Sequence, residues 1–215
     1  MTERVERLAE SGRIEGFSDG VFAIAITLLV LDLRVPDERG GFAHQLGHEW
    51  PSYVAYFAAF AAIGVVWLTH HGLFTWIDRV DTRLTVLNLG HLLLIGLVPF
   101  PTKVMSSAMR YGDHHDQFVA IALFAGLGLA VSVSWYVVTS HVRRHPELLV
   151  AGGLRRAGGE LQQRELTAML PGAASIPLAL WSPVAALLLN AVTPALYFAG
   201  FRTKMLQPNT SSEKP

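Results

Sequence analysis

The sequence predicts an all-α, polytopic membrane protein with six transmembrane helices, and three observations carry that reading. Hydrophobic residues occupy 51% of the 215 positions, charged residues only 16%, and the mean hydropathy is +0.36. That is more apolar surface than one soluble core can bury. Charge-poor stretches long enough to cross a bilayer recur along the chain. Lys and Arg are also shared unequally between alternate loops.

Taken in order, the candidate spans are Phe17 to Leu33, Tyr53 to Leu68, Leu84 to Phe100 and Phe118 to Val138, followed by a long run from Leu166 to Phe201. As a single helix the last would measure about 54 Å, against a hydrocarbon core of roughly 30 Å. It is expected to divide at Trp181-Ser182-Pro183, since Ser is a good N-cap and Pro is tolerated in the first helical turn. Pro99 and Pro101 are expected to end or kink the third helix, and Pro171 and Pro177 to interrupt the fifth. The alanines of AYFAAFAAIG and the pair Gly126 and Gly128 read as small-residue packing surfaces. Residues 1–16 form an N-terminal segment, 17–205 one six-helix domain with a linker at about 140–164, and 206–215 a tail.

With the N-terminus inside, thirteen basic residues fall on inner segments: Arg4, Arg7, Arg13, Arg79, Arg83, Arg143, Arg144, Arg155, Arg156, Arg164, Arg202, Lys204 and Lys214. Outer loops hold four, Arg34, Arg39, Lys103 and Arg110. The positive-inside rule therefore predicts a multi-pass protein of the cell membrane with both termini cytoplasmic. The N-terminal residues lack a signal-peptide core, so the first hydrophobic helix is expected to direct insertion. The formal net charge is zero, which offers no patch for nucleic acid, and the absence of cysteine excludes disulfides, thiolate metal sites and a thiol nucleophile.

The chemistry is concentrated in the first helix. Only twelve uncharged residues, GVFAIAITLLVL, separate Asp19 from Asp32, about 18 Å of helix. Either both carboxylates mark the interfaces of a thin or tilted span, or at least one sits near membrane depth and needs partners inside protein or water. At 100° per residue, Gly20, Ile24, Thr27, Leu28 and Leu31 share one stripe, with Asp19 round the back. Thr27 is the only hydroxyl in the apolar run. The spacing alone is compatible with ordinary helix packing or with a pore lining.

The segment from Arg13 through Phe17-Ser18-Asp19 to Leu31 resembles the R-x-x-x-F-S-D signature and first helix of the transmembrane protein 175 family of potassium channels, in its short prokaryotic form. Trp67-Leu68-Thr69-His70-His71, Leu87-Asn88-Leu89 and Pro99-Phe100 also resemble that family, so the likeness extends by motif from about Arg13 to Pro101. The resemblance implies a potassium-conducting channel in a lipid bilayer, without a TVGYG filter or an Arg-repeat voltage sensor, both absent from this sequence. A single six-helix repeat implies a homotetramer with a pore lined by the first helix of each subunit. The constriction implied five residues after the signature Asp is Ile24, where an apolar neck can close by dewetting. Thr27, one turn on, is then the selectivity ligand, Leu31 a second apolar ring, Gly20 and Leu28 further lining, and Asp32 a cation-gathering group at the outer mouth.

Asp19 is expected to pair with Arg13 and to accept hydrogen bonds from polar groups of neighbouring helices, the candidates being Trp67, His70, His71, Asn88 and His91. Together with Ser18, and with Phe17 packed behind the helix, these residues form a structural network. His70-His71 and His114-His115 are not ready chelates, because adjacent helical residues diverge by about 100°. No metal, cofactor or enzymatic activity is expected. A secondary transporter, or another cation- or proton-permeating membrane protein, is the alternative to a channel, although no inverted repeat is visible.

Overall fold

The computed structural model describes residues 9–33, 35, 41–150, 170 and 172–205; of residues 9–10 and 195–205 it describes only the backbone. The chain is mostly helical. Strand β1 (Ala9–Glu10) leads into α1 (Gly12–Leu28), which tightens into a 3-10 turn at Leu29–Asp32. There follow α2 (Phe42–His48), α3 (Trp50–Phe74), β2 (Arg79–Val80), α4 (Thr82–Leu97), α5 (Pro99–Tyr111) and α6 (His114–Arg144). A 3-10 turn at Pro146–Leu148, helix α7 over 172–179 and α8 (Pro183–Met205) complete the described chain.

Four segments are long and apolar enough to cross a membrane: Gly12–Asp32, Trp50–Phe74, Thr82–Tyr111 and His114–Arg144. Helices α7 and α8 are separated where expected, with a turn at 180–181 and Pro183 opening α8. Ser182 Oγ accepts from the Ala185 amide at 3.2 Å, closing the first turn of α8 as an N-cap does. Pro177 lies inside α7 and does not interrupt it, contrary to expectation, and Pro171 lies outside the described residues.

The third span differs in extent. The helix breaks at Val98, just before Pro99 as expected, yet Val98 keeps helical angles, so α4 and α5 together make one continuous apolar segment. The loop expected around Lys103 and Arg110 is helix, with Gly112 ending it. A Cβ on Gly112 would come within 2.7 Å of the Asp116 side chain and 2.8 Å of the Ala108 carbonyl, so glycine permits the close α5–α6 turn. Asp113 then opens α6 with a reciprocal capping box to Asp116.

Helix α1 packs on α3 and α4, α3 on α5 and α8, and α6 on α4, α5 and α8. The central core joins Phe22, Ala25 and Leu29 of α1 to Ile63, Leu92, Ile95 and Val131. One end of the bundle is closed by Leu73, Phe74, Ile77, Leu84, Val138 and Leu148, the other by Ala55, Met105, Ile121, Ala179, Ala186 and Leu187. Ala55, Ala58 and Ala59 are buried as the alanine-rich stretch predicts, whereas Gly126 and Gly128 are exposed with open space at the Cβ position.

Two small departures from an all-α fold anchor the first end. Ala9–Glu10 pairs antiparallel with Arg79–Val80, tying the start of α1 to the α3–α4 connection. Ile77 bridges Leu149, and Asp81 caps α4 through the Leu84 amide while accepting from His141 Nε2 at 2.8 Å. Burial opposes ionisation of Asp81, but the Leu84 amide and His141 outweigh it and hold the carboxyl below the usual carboxylate range. Helix α6, about 46 Å long at 1.5 Å per residue, delivers His141 to this junction beyond the thickness of a bilayer core. Arg34, Arg39 and the linker residues Arg155, Arg156 and Arg164 lie outside the described residues, as do 1–8 and the tail 206–215.

Candidate pore helix and its supporting network

Helix α1 has two faces of different character. Ser18, Phe22, Ala25 and Leu29, spaced i, i+4, i+7 and i+11, are buried against α3, α4 and α6. Gly20, Ile24, Thr27, Leu28 and Leu31 are exposed, Ile24 to 60% and Leu31 to 73%. The stripe read from helical phase is therefore the face that this chain leaves uncovered. Thr27 Oγ1 donates its proton to the Ile24 carbonyl at 2.9 Å, which leaves the oxygen lone pairs facing outward. Gly12, Gly16 and Gly20, four residues apart, have open space where a Cβ would stand.

Phe17 belongs to this exposed face and not behind the helix, being 56% exposed. Three residues before Gly20 and seven before Ile24, it shares their phase. Asp32, largely covered, sits 3.5 Å from Lys103 of α5, so a cation from the same chain already offsets its charge.

On the other side of α1, Asp19 accepts a hydrogen bond from Trp67 Nε1 at 2.9 Å. The expected pairing with Arg13 does not form. Six residues apart, the two leave the helix in different directions, and Arg13 is exposed. The other candidates are bonded in separate pairings, and none of them hydrogen-bonds to Asp19. Ser18 Oγ accepts from Asn88 Nδ2 at 2.9 Å, and His70 Nε2 meets Asn88 Oδ1 at 2.9 Å. His91 Nδ1 meets Ser134 Oγ at 2.8 Å. His71 stacks on Trp67 and lies 3.2 Å from Glu15.

Three participants were not singled out from sequence: Glu15, Ser134 and Trp135. Glu15 precedes Asp19 by one helical turn, a spacing that places both on one face. Their carboxylates and His71 bring three ligand-type atoms within 4.8 Å of one another. Since Trp67 holds Asp19 and His71 holds Glu15, pairing accounts for this cluster. An apolar cavity of about 160 Å³ among α3, α4, α6 and α8 is lined by Ile63, Val66, Phe124, Leu127 and Thr193, and by none of the predicted site residues.

An α-helical bundle with four helices long and apolar enough to cross a membrane, enclosing a network of buried polar side chains, has the architecture of a polytopic membrane protein. Residues 13–99 match the sequence model of the family described as endosomal/lysosomal potassium channel TMEM175. The chain is 44% identical over 137 residues to Potassium channel B446_29190 of Streptomyces collinus, covering 63% of this chain and 66% of that protein. It is 40% identical over 153 residues to Potassium channel Cha6605_3372 of Chamaesiphon minutus, covering 69% and 73%. A crystal structure of a lysosomal potassium-selective channel TMEM175 homolog from Chamaesiphon minutus aligns with a TM-score of 0.74 at 31% identity, over 89% of this chain and 97% of that one. The chain belongs to the TMEM175 family.

Proposed function

We propose that this protein is one subunit of a potassium-conducting channel, and that the exposed stripe of α1 lines its pore. The observation that carries the reading is that α1 buries one face completely and leaves Gly20, Ile24, Thr27, Leu28 and Leu31 uncovered. Kinship with proteins named potassium channels supplies the ion. In this reading four copies assemble around their α1 helices, with the open glycine positions admitting close approach between neighbouring copies. Ile24 and Leu31 form apolar rings that close by dewetting, and the outward lone pairs of Thr27 replace part of a potassium ion's hydration. Asp32 stands at the outer mouth, moderated by Lys103. Asp19, Ser18, Trp67, His70, His71, Asn88 and His91 hold the helix from behind, outside the ion path, and no catalytic group is required.

Six spans follow if α1, α3, α4 with α5, and α6 each cross once and the apolar run from Leu166 to Phe201 crosses twice, with both termini cytoplasmic in a cell membrane. Purified protein in liposomes tests the function. Fast, non-saturating potassium flux exceeding sodium flux is expected, from particles whose detergent-corrected mass equals four chains. Saturable slow exchange, or particles of one or two chains, would contradict it.

A further inference from the structure

Among the described residues, three buried polar ring atoms have no hydrogen-bond partner: His70 Nδ1, His91 Nε2 and Trp135 Nε1. They come from three helices, α3, α4 and α6, and their rings adjoin one another. The centroids are 6.3 Å apart for His70 and His91, 5.6 Å for His70 and Trp135, and 5.3 Å for His91 and Trp135. Both histidines have no exposed surface and Trp135 is 5% exposed.

The surrounding hydrogen bonds determine where each proton resides. Ser18 Oγ gives its one proton to the Ile14 carbonyl at 2.8 Å, so it accepts from Asn88 Nδ2. That directs Asn88 Oδ1, an acceptor, at His70 Nε2. His70 is therefore the Nε2–H tautomer, and in the neutral ring Nδ1 is a bare lone pair. On the far side, Ser134 Oγ gives its proton to the Val131 carbonyl at 2.7 Å and accepts from His91 Nδ1. His91 is the Nδ1–H tautomer, and its Nε2 is bare. Trp135 Nε1 can only donate.

The three adjoining rings therefore present two acceptors and one donor, none paired directly with another. We propose that His70, His91 and Trp135 bind a single internal water molecule, which donates to His70 Nδ1 and His91 Nε2 and accepts from Trp135 Nε1–H. Water supplies two protons and a lone pair, matching the three groups one for one, and a buried water typically makes about three such bonds. A metal or alkali cation fits less well, because the indole N–H would point its positive end at the ion.

With the water in place, an unbroken circuit runs from the Ile14 carbonyl through Ser18, Asn88, His70, water, His91 and Ser134 to the Val131 carbonyl. Both ends are backbone carbonyls, which have no proton to pass on. The circuit is thus a clamp joining α1, α3, α4 and α6, and not a proton wire.

The test uses the whole protein in lipid and does not depend on its conduction. A structure at water-resolving resolution should show density about 3 Å from all three nitrogens. Selective ¹⁵N labelling of His and Trp should report His70 as the Nε2–H and His91 as the Nδ1–H tautomer. The Trp135 indole proton should give a cross-peak to a slowly exchanging water, a peak identified by its loss in Trp135→Phe. Absence of density among the rings, absence of that cross-peak, or the opposite tautomer at either histidine would overturn the proposal.

Discussion

The two faces of α1 obey different rules. Ser18, Phe22, Ala25 and Leu29 are fitted to three other helices, and each answers to a neighbour a few ångströms away. Gly20, Ile24, Thr27 and Leu31, one to three residues along the same helix, are left exposed. The comparison teaches that a helix in a bilayer can carry its packing information and its transport information at once, because 100° per residue separates them cleanly. Substitutions on the first face should register in folding, and those on the second in conduction.

The largest effect is expected in the core. Phe22→Ala empties a fully buried ring site and should cost about 3–5 kcal/mol, seen as a lowered unfolding midpoint in mild detergent. Asn88→Ala strands the His70 N–H and the Ser18 oxygen, a loss on the order of 3 kcal/mol by the same measurement. If either variant melted like the parent, α1 would not be held as described.

Asp19→Ala removes the acceptor of Trp67 Nε1, a charge-assisted bond worth about 1.5–3 kcal/mol. It should lower the yield of assembled protein while leaving the reversal potential of the surviving channels unchanged. A normal yield with altered ion preference would move Asp19 into the pore.

Asp81 sharpens the comparison from outside the helix, since it caps α4 and receives His141. Its folded carboxyl titrates below the usual value, so its stabilisation is complete above pH of about 4 and is lost as pH falls through the lowered folded value. Asp81→Asn keeps a capping oxygen but loses the charge that faces His141, so it should lower the unfolding midpoint at neutral pH and remove part of the parent's acid-induced loss. An acid profile that does not change with the substitution would contradict this.

On the uncovered face, Ile24→Asn and Thr27→Ala should alter folding by no more than about 0.5 kcal/mol, yet have distinct effects on transport. The first should raise basal conductance by wetting the neck. The second should reduce potassium preference over sodium. Val30→Ala, exposed but out of phase with the stripe, is the control and should do neither; Leu29 is unsuitable because it is fully buried.

Much of this was legible in the sequence, for identifiable reasons. The uncovered stripe followed from helical phase, and the α7–α8 break from Ser182 and Pro183. Trp67 is the expected partner of Asp19, because a carboxylate in an apolar span must find a donor, whereas Asn88, expected there too, bonds Ser18 and His70 instead. Arg13 and Phe17 were misplaced by grouping them with Asp19 by motif, when their own phase separates them from it. Ser134 and Trp135 were invisible because α6 meets α4 only in three dimensions, more than forty positions along the chain. The β1–β2 pair has two residues on each side and no periodicity to detect, and α5 looks like a loop in sequence because Lys103 and Arg110 interrupt the apolar run.

The central claim, that the uncovered face of α1 lines an aqueous ion path, has a direct test in a chain with no native cysteine. Single cysteines introduced at each position from Phe17 to Asp32, in channels reconstituted into bilayers, can be probed with a charged, water-soluble methanethiosulfonate, whose sulfur the water-exposed thiolate attacks to form a mixed disulfide, expelling methanesulfinate. The account predicts irreversible block at Gly20, Ile24, Thr27 and Leu31, and no reaction at Phe22, Ala25 or Leu29. A stripe as unreactive as the buried face would mean that it faces lipid or a neighbouring helix, and would contradict the pore assignment.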